Sequence, residues 1–158
     1  MSKFEPAFEI MIEHEGGYSN DPDDAGGETR FGVSKRSHPG VDIEHLTLEH
    51  AKQIYKKEYW DSIRCSEIND QTIANKVFDI GVNIGTRRIV GLLQSAINMV
   101  LSDIRLIVDG KMGDKTIDAC NKCHPQVLMS YLKPIIINYY RSLDRPKYIK
   151  GWINRASS

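Results

Sequence analysis

Behind Thr86 the apolar residues Ile89, Leu93, Ala96, Ile97, Val100 and Leu101 recur every three or four positions. That is the period of an α-helix, and a stripe this wide needs a core to cover it. A chain built around such a segment must supply partner helices, and this one does. Phe4, Ala7, Phe8, Met11 and Ile12 repeat the spacing near the N-terminus, with Pro6 tolerable in a first turn and Gly16-Gly17 as a stop. Thr47 is a good N-cap for a helix from Leu48 to about Trp60, with Leu48, Ala51, Tyr55 and Tyr59 on one face. Asn69 or Asp70 caps the next, which ends near Asn83-Ile84-Gly85, and the segment opened by Thr86 is expected to be the central one. Asp114 suits the cap of a helix from Lys115 to Cys123. Pro125 suits the first position of another that runs to about Leu143, with a kink at Pro134. Tyr148 to Arg155 reads as a last helical turn that packs Trp152 on the body. Strands fit around Tyr18-Ser19 and Thr29-Arg30-Phe31, where glycines, aspartates and Pro22 predict turns and a small hairpin. The fold class is mainly α, an α+β arrangement of about six helices with a small β-hairpin region near the N-terminus.

At 158 residues the chain fits one domain, residues 1–158, able to bury about two thirds of its unfolded surface. The 21 basic and 21 acidic side chains cancel, so no overall field draws the protein to nucleic acid or to an anionic membrane. The most apolar stretch, Val127 to Leu143, contains Lys133, Pro134, Asn138 and Arg141 and does not read as a membrane span. The N-terminus lacks the apolar run of a signal peptide, which predicts synthesis in the cytoplasm. Cys65, Cys120 and Cys123 leave one thiol over in any disulfide scheme and read as reduced, buried side chains. Cys120-x-x-Cys123-His124 is a weak metal or haem string without matching ligands, so no metal or organic cofactor is expected.

The chemistry gathers between Ile12 and Ser34. Glu15 ends the first helical pattern, where the negative end of the helix dipole disfavours an ionised carboxylate, the direction a general acid requires. Asp24, nine positions on and beyond a turn, can return to face it, and Thr29 in the following strand can position a water. Asp21 and Asp23 compete with Asp24 for that second role. Taken singly, each aspartate is most simply a solvated turn residue. Asp21, Asp23 and Gly26 also fall on calcium-loop spacing, but the position that needs a bidentate glutamate is Gly32.

His14-Glu15-Gly16-Gly17-Tyr18 followed by Asp21-Pro22-Asp23-Asp24-Ala25-Gly26-Gly27-Glu28-Thr29-Arg30-Phe31-Gly32-Val33 resembles the signature of the glycoside hydrolase family 108 muramidases. The likeness continues through Tyr59-Trp60-Asp61, Phe78-Asp79, Val82 to Gly85, Leu93-Gln94, Asp109-Gly110, Gly113, Thr116 and Gly151-Trp152 with Arg155. It implies a lysozyme-like fold with a catalytic part over residues 1–85 and a helical part over residues 86–158 resembling a peptidoglycan-binding region. It also implies cleavage of the β-1,4 bond between N-acetylmuramic acid and N-acetylglucosamine, with Glu15 in the catalytic position. The order Glu15, Asp24, Thr29 is similar to the catalytic order of phage lysozymes, with Thr29 one position nearer the aspartate. Tyr18 can stack on a sugar face, and the resemblance includes Asn83 as a candidate for an acetamido group. A peptidoglycan partner, delivery by a holin or a secretion system, action in the periplasm or cell wall, and a monomer or weak dimer complete the expectations. The alternative is a non-catalytic peptidoglycan-binding or secretion-accessory protein.

Overall fold

A computed structural model of the chain describes residues 1–15, 17–23 and 26–158. The helices are α1 (Phe4–His14), α2 (Leu48–Tyr55), α3 (Gln71–Ile84), α4 (Thr86–Val100), α5 (Asp114–Lys122), α6 (Pro125–Ser142) and α7 (Pro146–Ser157). The strands β1 (Thr29–Arg30) and β2 (Val33–Ser34) form an antiparallel hairpin. The mainly helical class with a small hairpin near the N-terminus, expected from the sequence, is what the chain adopts. Among the described residues no helix is long and apolar enough to cross a membrane.

The helix at the centre is α3, not the segment after Thr86. It starts on the Asp70 side chain, whose carboxylate accepts the Ile73 N–H at 3.0 Å, and from Ile73 to Gly81 it is buried almost all round. It packs against α1, α4, α6 and α7. Helix α4 buries only the stripe of Ile89, Val90, Leu93, Gln94, Ala96 and Ile97, so it is one wall of the core.

Lys3 and Gln71 exchange hydrogen bonds of 2.8 Å, the Lys3 N–H to Gln71 Oε1 and Gln71 Nε2 to the Lys3 carbonyl. The starts of α1 and α3 are thereby clamped side by side, so the C-terminal end of α1 arrives beside the last turns of α3. Phe4, Trp60 and Phe78 meet edge to face, with ring centroids 5.6 to 5.7 Å apart, and lock that pairing.

The remaining differences have local causes. Tyr18-Ser19 forms no strand beyond a single bridge from Ser19 to Thr29. The hairpin instead turns at Phe31-Gly32, both at positive φ (51° and 76°), the geometry of a tight two-residue loop. Asp114 lies inside the first turn of α5 and pairs with Arg64 at 2.8 Å, leaving Gly113 as the cap. Helix α6 carries Pro134 in its interior, as expected. The last segment is a full helix, α7, started by Pro146 in its first turn.

Candidate active site

Helix α1 ends where Glu15 leaves it in an extended conformation, its N–H still bonded to the Ile12 carbonyl. The Glu15 side chain, 22% exposed, reaches a cleft of about 440 Å³ lined by His14, Glu15, Asn83, Gly151, Trp152, Asn154 and Arg155. Three elements therefore meet at one opening: the end of α1, the end of α3 and the middle of α7.

Arg155 organises the floor. Its Nε and Nη2 grip the Asp79 carboxylate at 2.8 to 3.2 Å, and its Nη1 and Nη2 reach Glu15 Oε1 at 3.3 and 3.4 Å. Asp79 also meets His14 Nδ1 at 3.1 Å. A charge as deeply buried as Asp79, 2% exposed, is tolerable only with such pairing. One guanidinium is thus shared between two carboxylates, Asp79 and Glu15.

The hairpin touches the same acid from the other side. A Cβ on Gly32 would lie 2.9 Å from Glu15 Oε2 and collide with Tyr55 Oη. The positive φ and the close approach both require glycine there. Tyr55 donates to the Phe31 carbonyl at 2.7 Å, which fixes the hairpin turn. Burial first, and then the Glu15 charge, push its phenol well above the usual tyrosine range and keep it a donor.

Asn83 lines the cleft and its Oδ1 accepts the Tyr140 hydroxyl at 2.6 Å. Trp152 stacks between Tyr140 (5.1 Å, 19°) and Tyr148 (5.5 Å, 25°), a rigid aromatic platform next to the acid. Of the residues singled out from the sequence, Glu15 and Asn83 are thus brought together. Thr29 and Tyr18 sit on the hairpin side. Thr29 Oγ1 donates to the Gly27 carbonyl at 3.1 Å, and Tyr18 is exposed, its hydroxyl on Glu28 Oε1 at 3.1 Å. The Asp21 carboxylate accepts the Asp23 N–H at 2.9 Å, a solvated turn. Asp24 lies outside the described residues.

Sequence reasoning missed the roles of Arg155, Asp79 and Trp152 at this opening. Local spacing gives no signal for them; the pointer is the family likeness, which runs through Phe78-Asp79 and Gly151-Trp152 with Arg155.

The family model for glycosyl hydrolase 108 matches residues 8–85, and the model described as a predicted peptidoglycan domain matches residues 89–157. No curated protein matches the sequence. Among solved structures, SagA of Brucella abortus superposes with a TM-score of 0.80 at 24% identity, over 98% of this chain and 89% of that one. At that identity the likeness speaks for the fold. Glu15 and Asn83 fall in the first matched segment, Trp152 and Arg155 in the second, so the cleft is built from both. The chain belongs to the glycosyl hydrolase 108 family, as a glycoside hydrolase of peptidoglycan with a peptidoglycan-binding C-terminal segment.

Proposed function

We propose that the protein is an N-acetylmuramidase that cleaves the β-1,4 bond between N-acetylmuramic acid and N-acetylglucosamine, with Glu15 as general acid. The observation that carries this reading is the position of Glu15 at the mouth of a cleft that also holds Asn83, Trp152 and Arg155. Trp152 contributes an aromatic side chain to the cleft wall, and Asn83 an amide for an acetamido group. Glu15 protonates the leaving glycosidic oxygen. The Arg155 guanidinium then stabilises the carboxylate left behind. Asp24 takes the second role, at the oxocarbenium-like carbon or its attacking water, with Thr29 orienting that water; this part rests on the sequence motif.

Glu15→Gln tests the assignment, because it keeps the shape and removes the proton. Clearing of a peptidoglycan suspension should fall by about 10² to 10⁴ with the thermal transition retained, and reducing-end analysis of the wild-type digest should find muramic acid at the new ends. New ends on glucosamine would overturn the bond assignment. A wild type that clears nothing yet sediments with walls would instead favour a non-catalytic binder.

A further inference from the structure

We propose that a second cleft, at the junction of α3 and α4, binds the carboxylate-bearing stem peptide of the same polymer, a reading that rests on peptidoglycan being the substrate. This cleft, of about 670 Å³, lies between the start of α4 and the 107–110 loop. Its lining includes Gly85, Arg87, Arg88, Gly91, Val108 and Asp109.

Four features point to an occupant. First, its chemistry is that of a charged peptide. Arg87 and Arg88 are exposed and make no ion pair among the described residues; Arg88 only lies over the Tyr139 ring, at 5.1 Å. On the opposite wall the Asp109 carboxyl is held below its usual range by hydrogen bonds from Gln94 and from the Lys111 N–H. Two cations and one anion complement a ligand with several carboxylates and one amine. Stem peptides have that composition.

Second, the walls are built in advance. Buried Gln94 accepts the Asp109 and Gly110 N–H groups at 3.1 and 3.0 Å, and donates to Asp109, the Lys111 carbonyl and Thr116. Gly110, at φ 73°, packs so closely on the Arg87 backbone that a Cβ would come within 2.6 Å of its carbonyl oxygen. A loop fixed in this way does not have to be ordered when a ligand binds.

Third, Gly91 stands inside α4, where glycine is less favourable than alanine. Packing does not require it, since an added Cβ would meet only Val108 Cγ1, at an ordinary 3.8 Å. What the missing side chain does is leave the cleft open. Fourth, Gly85 in this cleft is two residues from Asn83 in the Glu15 cleft. A glycan held at Glu15 can therefore place its peptide branch here.

The test uses the full chain and a soluble stem tetrapeptide in a calorimetric titration. Wild type should bind it, and Arg87→Ala and Arg88→Ala should each weaken binding roughly tenfold. Gly91→Leu, which puts a branched side chain into the cleft, should weaken it more than either arginine change, and Gly91→Ala should keep it with an equal or higher Tm. The same tetrapeptide with its carboxylates amidated should bind much more weakly. On glycan strands stripped of peptide, the two arginine variants should turn over like wild type, and on intact wall more slowly. No tetrapeptide binding by wild type, or equal binding by all variants, would overturn the proposal. Because the titration needs no turnover, a failure of the Glu15 assignment would appear only in the Glu15→Gln assay.

Discussion

The hairpin region and the α3–α7 pair treat charge in opposite ways. Between Tyr18 and Ser37 most of the acids and bases stand near solvent and serve short-range turns, as Asp21 does for the Asp23 N–H. Between α3 and α7, Lys76, Asp79 and Arg155 are all below 10% exposed and fully partnered. Glu15 hangs between the two, with Gly32 pressed on one oxygen and Arg155 paired to the other. The motif that marks the active site is thus N-terminal, while the rigid support of its acid comes from a helix 140 residues away in sequence.

The contrast breaks most sharply at Arg155. Arg155→Ala strands Asp79 without its guanidinium partner, so the loss should be about 3 to 5 kcal/mol of stability together with most of the clearing activity. Urea unfolding and turbidity clearing measure both. A double change, Arg155→Met with Asp79→Leu, should recover much of the stability without restoring activity, because the buried pair is then removed as a unit and neither of its charges is stranded.

How legible each region was follows from the same contrast. Glu15 could be read because local signals converge on it: a helical period that stops and a glycine pair after it. Asn83 needed the family likeness. Helix boundaries set by side-chain caps, such as Thr47 and Asp70, were also visible. Arg155 and Asp79 were not, since a charged residue on a helix is normally solvated and only the tertiary fold turns these two inward. The centrality of α3 was hidden for a related reason. Lys76 and Asp79 interrupt its apolar pattern, although both are buried, so α4 with its uninterrupted stripe looked the more central.

Gly32→Ala comes next in size. The positive φ costs a non-glycine residue about 1 to 2 kcal/mol, and the new methyl must push either Tyr55 Oη or the Glu15 carboxylate aside. Stability should fall and turnover should fall with it, as the acid is displaced. Tyr55→Phe removes the obstructing oxygen, so Gly32→Ala should cost less in that background. A double-mutant cycle reads the coupling; strict additivity would mean that the hairpin does not position Glu15.

Lys76 tests the buried side by pH. Its Nζ donates to the carbonyls of Arg155, Ala156 and Ser158 at 3.0 to 3.2 Å, which fastens the end of α7. Burial pushes the amine down from 10.5 to about 8, against Asp79 on its own helix, which raises it, and with Lys133 and Arg155, which lower it further. Above pH 8 the folded chain holds Lys76 neutral while the unfolded chain keeps it charged. The unfolded state then binds more protons, and stability rises with pH, by roughly 1 kcal/mol per unit. From pH 9 the thiols act in the opposite sense, since burial holds Cys120 up at about 12 and raises Cys65 and Cys123 as well. Wild-type stability should therefore climb between pH 8 and 9 and level off or fall beyond. Lys76→Met should remove the climb, as read by denaturant midpoints across the pH series.

The smallest effect belongs to the exposed side. Tyr18→Phe deletes only exposed hydroxyl contacts, to Glu28 and Asn20, so stability should change by less than about 0.5 kcal/mol. If the Tyr18 ring stacks on a sugar, that variant should keep its KM, and Tyr18→Ala should raise KM with kcat little changed, the mark of binding lost equally from ground and transition states. Equal KM for wild type, Tyr18→Phe and Tyr18→Ala would remove Tyr18 from the substrate path and leave Trp152 as the aromatic platform.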